Sequence, residues 1–271
     1  MAHLDCETVE STISCVAEIF GVQPEQIIAF FDQFDIEQHF AKNRPEGDGA
    51  HETKRLLENL YGQPKHLITR TYWFHLTRVP ESTSFQDGIR PLDEALPRIW
   101  EMLHNLLAQT KHADRLKAMA FDGVSDFQYT LKTANRLHWG PYAMLVKAIG
   151  ACAESVGNHD YLKMPEIVED ICNGYKDVYG ESIQPLIEDC LVPTVVKFWS
   201  EDPEDQYGLE SAIYYAYLTH HKMELTHSAN TCFDGRNSTV QPNRIVYVEH
   251  IRNGLTGCST GRLPASLAAA C

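Results

Sequence analysis

Residues 71–92 read Thr71-Tyr72-Trp73-Phe74-His75-Leu76-Thr77-Arg78-Val79-Pro80-Glu81-Ser82-Thr83-Ser84-Phe85-Gln86-Asp87-Gly88-Ile89-Arg90-Pro91-Leu92. The first seven are rich in β-branched and aromatic side chains, which suit a pleated, half-buried surface, and they predict a strand over 67–77. Side chains two apart on a strand share a face, so His75 and Thr77 point one way while Phe74 and Leu76 point the other. A polar loop follows and ends in Gly88-Ile89-Arg90-Pro91-Leu92, a turn that Pro91 leads into a helix. Spacing alone gives the polar pair no chemistry, because a single His near a strand end is commonly a hydrogen-bonded structural residue.

Working upstream, Val9, Ile13, Val16, Ala17 and Phe20 recur at helical intervals until Gly21 stops the pattern, and Pro24 opens a second helix through Ile27, Ile28, Phe30 and Phe31. Arg44 to Gly49 is loop by composition, and Leu56, Leu57 and Leu60 mark a short helix ending near Gly62. Residues 1–65 read as a helical cap without chemistry of its own.

Working downstream, Leu92, Ala95, Leu96, Ile99, Met102, Leu103, Leu106 and Leu107 predict a helix whose start Pro97 restricts. Residues 114–134 follow no clear period. Gly140-Pro141 leads into an apolar strand through Val146, residues 160–191 are helical in pieces, and Thr194 to Trp199 is a short strand. A helix resumes at Gly208 and runs through Ile213, Tyr214, Tyr217 and Leu218, and Arg244 to Ile251 is a β-run. Strands interleaved with helices predict one α+β domain over 66–260, with a frayed tail over 261–271.

Composition limits the function classes. In a chain of 271 residues, 44% hydrophobic and 22% charged content supports a sizeable core and excludes global disorder. A net charge of -14, from 23 basic and 37 acidic residues, disfavours broad binding to nucleic acid or to an anionic membrane. No secretory signal and no run long enough to span a bilayer is visible, so the expectation is a soluble, cytoplasmic protein. The eight cysteines form no Cys-x-x-Cys pair, which argues against a zinc knuckle or dithiol redox motif.

Glu249 lies inside Ile245-Val246-Tyr247-Val248-Glu249-His250-Ile251. A carboxylate within an apolar strand costs free energy unless it is paired or solvated, although a charge on an edge strand also blocks aggregation. Together, Phe74-His75-Leu76-Thr77-Arg78, the Gly88-Ile89 turn and the late Val-Tyr-Val-Glu strand resemble the His-containing branch of the ADP-ribosyltransferase-like superfamily. Tyr142 in Gly140-Pro141-Tyr142 stands where that branch has an aromatic at the start of a strand. The resemblance covers anchors scattered between residues 71 and 251 and does not extend to the N-terminal helices.

The resemblance implies a split, mostly antiparallel sheet of ADP-ribosyltransferase type, with NAD as substrate and a macromolecular or small-molecule acceptor. It implies that His75 bonds an NAD ribose, that Thr77 supports it, that Tyr142 stacks on nicotinamide and that Arg78 approaches the diphosphate. Glu249 takes the catalytic role, favouring the positive charge of an oxocarbenium-like state as glycosidase carboxylates do. The family often has a small residue after the His, where this chain has Leu76, and the bulk there bears on how closely a cofactor approaches the backbone. A noncatalytic binding module on the same fold is the alternative.

A rival lies on the helices. Glu101-x-x-His104 and Glu224-x-x-His227 have the spacing used in di-iron carboxylate bundles, and His220, Glu224 and His227 would share one helical face. A chain this rich in Glu and His yields roughly one such pair by chance, and the interleaved strands disfavour a bundle, so no metal is expected. There is no Gly-x-Gly-x-x-Gly, Walker loop, Gly-x-Ser-x-Gly elbow or His-Glu-x-x-His.

Overall fold

The strand expected from the opening stretch is β2 (Ile68–Val79), and the rest of the sheet is assembled on it. The computed structural model describes residues 1–202 and 207–252. The expected tail over 261–271 and the end of the 66–260 segment lie outside those residues. The other strands are β1 (Ala2–Leu4), β3 (Tyr142–Met144), β4 (Val192–Ser200), β5 (Cys232–Asp234) and β6 (Ile245–His250). They form one six-stranded sheet in the order β5-β3-β2-β4-β6, with β1 also against β2. β1 runs parallel to β2 and every other pairing is antiparallel, so the fold is α+β with a mostly antiparallel sheet. β1 and β5 escape sequence reading because three residues are too few to show an alternation.

The N-terminal segment folds around an element far away in sequence. α1 (Val9–Phe20) is capped at Thr8, whose hydroxyl accepts from the Ser11 amide at 3.1 Å, and it stops at Gly21, which takes φ +64°. α2 (Pro24–Gln33), α3 (Ile36–Asn43) and α4 (Gly49–Tyr61) follow. Their partner is α10 (Gly208–His220), buried at every position from Gly208 to Leu218 except Glu210 and packed between α1 and α4. A helix apolar on all sides belongs in a core. Ile13, Val16, Phe20, Leu57, Ile213 and Phe74 all belong to this one core, and each side chain of that size contributes about 1.5–3 kcal/mol on burial. Residues 1–65 therefore share their core with the sheet instead of standing apart from it.

A second core is helical. α5 (Leu92–Leu107), α6 (Ala113–Asp122), α8 (Glu166–Tyr179) and α9 (Gln184–Cys190) bring together Leu103, Leu107, Leu116, Ile171, Tyr175 and Ile187. α7 (Phe127–Ala134) packs against α8 and buries no residue of its own. Residues 114–134, which follow no clear period, form α6 and α7. Pro97 lies within α5, which starts ahead of it at Leu92.

The Gly88-Ile89 turn fastens the loop between β2 and α5. Ile89 exchanges both backbone hydrogen bonds with Val240, at 3.0 and 2.9 Å. Gly88 takes φ +84°, and a Cβ there would stand 2.1 Å from the Val240 carbonyl oxygen, so only glycine fits. Among the described residues no helix is long and apolar enough to cross a membrane, and Cys6, Cys15, Cys172, Cys190 and Cys232 are free thiols.

Candidate functional site

Where the sheet meets the second core there is a cleft of about 730 Å³. One wall is the end of β2, the start of β3 and the loop that Gly88 fastens; the other is α5, Lys132 of α7, Trp139 and the first turn of α8. The opening stretch supplies much of this wall, because β2 delivers its C-terminal half to the cleft and the loop after it folds over the same space.

His75 is the best-defined group in the cleft. Its Nδ1 lies 2.8 Å from the Tyr142 carbonyl oxygen. A carbonyl only accepts, so Nδ1 carries the proton and donates it. Burial depresses the pKa of the imidazole and outweighs the opposing effect of this hydrogen bond. The ring is therefore neutral, with Nε2 left as an acceptor in a residue that lines the cleft. Thr77 lies two residues on, on the same strand face and also lining the cleft.

Tyr142 begins β3 and contributes its ring as well as the carbonyl that orients His75. Its hydroxyl donates to the Leu137 carbonyl at 2.7 Å, which fixes the ring at the cleft with 37% of the residue exposed. Burial, reinforced by the charges of Asp234 and Glu166, raises its pKa, so it remains a phenol. His75, Thr77 and Tyr142 are thus brought together.

Arg78 lines the cleft, but its donors serve the fold. Nη1 donates to the Leu162 carbonyl at 3.0 Å and Nη2 to the Glu188 carbonyl at 2.8 Å. These bonds tie β2 to the segment before α8 and to α9, and they use two of the five guanidinium donors.

Glu249 is not in the cleft. Directly paired residues on neighbouring strands share a face. His75 pairs with Val196, and Val196 with Val248; Leu76 pairs with Val195, and Val195 with Glu249. Glu249 therefore occupies the Leu76 face, opposite His75. There its carboxylate meets Lys147 at 2.7 Å. Lys147 also bonds Glu7 at 3.2 Å and the Tyr247 hydroxyl oxygen at 3.1 Å.

The buried Lys197 completes this network, reaching Asp5 at 2.6 Å and Glu7 at 2.7 Å. Burial works against Lys197's charge, but its hydrogen bonds to the two carboxylates prevail and raise its pKa. Burial likewise pushes Glu7 up, and the bonds from Lys197, Tyr247 and Lys147 outweigh it and hold Glu7 at about 2. Glu249 is thus a partly exposed charge on the edge strand β6, paired with Lys147.

Three groups in the cleft escape sequence reading. Glu166 opens α8, its Oε1 accepting from the Tyr161 hydroxyl at 2.9 Å and its Oε2 lying 3.1 Å from Lys132 Nζ. Lys132 also meets Asp170 at 2.8 Å. Burial alone would raise Glu166, but Lys132 and Tyr161 prevail and its pKa falls below the ordinary carboxylate value, whereas burial wins at Asp170 and raises it. Pro165-Glu166 reads in sequence as an acid in the first turn of a helix, where the macrodipole favours one anyway. No local signal links it to Lys132, 34 positions earlier in the numbering.

The helical metal motifs do not assemble. α10 ends at His220, so Glu224 and His227 are not on its helical face, and His220 pairs with Asp32 at 2.7 Å. His104 Nε2 is buried without a partner, and its ring packs on Trp100. Among the described residues, no three His, Cys, Asp or Glu side chains are placed to hold a metal ion. Compared with family models, curated proteins and solved structures, the chain gives no match.

Proposed function

We propose that the chain binds NAD in the β2–β3 cleft and acts as an ADP-ribosyltransferase-like protein without using Glu249. The observation that carries this reading is the hydrogen bond between His75 Nδ1 and the Tyr142 carbonyl. A neutral imidazole with Nδ1–H fixed on a backbone carbonyl presents Nε2 as an acceptor, the arrangement needed to take a hydrogen bond from a ribose hydroxyl. Thr77 beside it and the exposed ring of Tyr142 supply a second polar contact and a stacking surface. The volume suits a ligand of dinucleotide class. Arg78 lines the cleft with two of its donors held by backbone carbonyls, and its part in binding the diphosphate rests on the donors that remain.

A second reading, a binding module that holds the dinucleotide without splitting it, is favoured by one observation: the carboxylate of the late strand faces away from the cleft. Incubation with NAD, followed by measurement of nicotinamide release and of label transfer, separates the two. Release that disappears in His75→Ala and persists in Glu249→Ala supports the transferase reading. Binding without release supports the module, and absence of binding rejects both.

A further inference from the structure

α7 turns its apolar side outward. Phe127 and Leu131, one helical turn apart, face solvent at 75% and 37% exposure, and no residue of the helix is buried. A surface helix ordinarily docks through an apolar stripe. This one docks through Lys132, whose ammonium lies 3.1 Å from Glu166 and 2.8 Å from Asp170, both on α8. The short 3-10 turn after it, Arg136–His138, buries nothing either, and its Leu137 is 77% exposed.

Both ends of this stretch are fixed. Ahead of it, Val124 is buried in the second core against Gly174, where a Cβ would stand 2.5 Å from the Val124 Cγ1. Behind it, the Trp139 carbonyl accepts from the Leu92 amide at 2.9 Å. Between those anchors Tyr129 is half-buried, its hydroxyl accepting from Trp100 Nε1 at 3.2 Å, and the Leu137 carbonyl accepts from the Tyr142 hydroxyl at 2.7 Å. Neutral hydrogen bonds contribute less than charge-assisted ones, so the Lys132 ion pairs carry most of the docking.

We propose that residues 125–138 are a lid on the cleft, latched by Lys132 to Glu166 and Asp170, which undocks between the anchors at Val124 and Trp139. Lys132 and His138 line the cleft, so undocking takes both away from its wall and opens that side to solvent. Glu166 lines the cleft too, which puts the latch within reach of whatever the cleft receives. The inference holds for any ligand and does not rest on the NAD reading.

α7 has eight residues, too few to stay helical away from α8. Undocking therefore frees its backbone amides, and hydrogen exchange read by mass spectrometry measures it. In the wild-type chain the amides of 130–134 are expected to exchange at least about a hundredfold faster than those of 171–175 in the buried middle of α8. Lys132→Met keeps an apolar stem and removes the ammonium. It is expected to raise exchange at least about tenfold in α7 and, in step, at His138 and Trp139, whose amides donate to Asn135 and Arg136 within the lid, while 194–198 of β4 stay unchanged. Wild-type exchange as slow in α7 as in α8 overturns the lid, and no increase in Lys132→Met overturns the latch. An increase confined to α7, with His138 and Trp139 unmoved, is fraying of one helix and also overturns the lid. Should Lys132→Met lose protection throughout the chain, Asp170→Asn, which removes one of the two latch charges with little change of shape, is read in the same way; the wild-type comparison needs neither variant.

Discussion

His75 and Glu249 are each a polar residue near the end of an otherwise apolar strand, and their neighbours give them different work. His75 lines the cleft with one nitrogen fixed on the Tyr142 carbonyl, whereas Glu249 is anchored to Lys147 on the far face. The proton balance of His75 yields a testable pH dependence. Its folded pKa is depressed below the ordinary 6.5 by burial, so the unfolded chain takes up this proton first as pH falls. The residue's contribution to stability is complete above about pH 6.5 and is lost as pH drops from there through the folded value. Ligand affinity is expected to hold down to pH 6.5 and to fall only below the folded pKa, when Nε2 becomes a donor. Calorimetric titration from pH 8 to 5 checks this, and a decline centred at or above 6.5 would count against a buried, neutral imidazole. Glu249→Gln is expected to change stability by about 1 kcal/mol or less, because the pair with Lys147 is partly exposed, a shift readable in denaturant midpoints.

At the scale of elements, the β2–loop–α5 unit depends on one backbone feature. Gly88 takes a left-handed φ against the Val240 carbonyl, and the Ile89–Val240 pair beside it holds the loop against the segment before β6. Gly88→Ala is expected to cost about 1–3 kcal/mol through strain at that position, visible as a lower thermal midpoint. A neutral substitution would show that the turn relaxes freely. Much of this unit was legible in sequence: the period-2 run of Thr71 to Thr77, the glycine turn and the helix after Pro91 are local patterns with local causes. Facing partners were not legible. Strand alternation gives which neighbours of Glu249 share its face, but which face of the sheet that is depends on the register of β6 on β4 and of β4 on β2. Those pairings join residues more than 100 positions apart between β2 and β4. Glu166 was hidden for the same reason, since Lys132, its ion-pair partner, meets it only through tertiary packing. Glu224 and His227 failed as a helical pair because α10 stops at His220, with Lys222 just beyond it at positive φ.

For the whole molecule, two cores and two polar systems divide the work. The first core joins the N-terminal helices, α10 and the sheet; the second joins α5, α6, α8 and α9; the cleft opens at their junction. On the other face of the sheet, Lys197 and Lys147 bind the segment after β1 to β4 and β6 through Asp5, Glu7, Tyr247 and Glu249. This network ties the chain's first strand to its last described one and gives the fold an acid-labile seam. Glu7 titrates at about 2 in the folded chain against an ordinary 4.5, so its stabilisation is complete above pH 4.5 and is lost as pH falls from there towards 2. Allowing for partial solvent screening, the loss is on the order of 2 kcal/mol. Denaturant midpoints between pH 6 and 2 check it: Glu7→Gln is expected to flatten the acid limb, and an unchanged limb would remove Glu7 from the account.

The central claim is that the cleft on the His75 face, and not the carboxylate on the Glu249 face, receives the dinucleotide. Calorimetric titration of NAD into the wild-type chain, His75→Ala and Glu249→Ala at pH 7.5 tests it most directly. Wild type and Glu249→Ala are expected to bind with the same affinity, and His75→Ala at least about tenfold more weakly, the loss of about 1.4 kcal/mol that one charge-neutral hydrogen bond in a dry site supplies. Undiminished binding by His75→Ala, or loss of binding confined to Glu249→Ala, would contradict it.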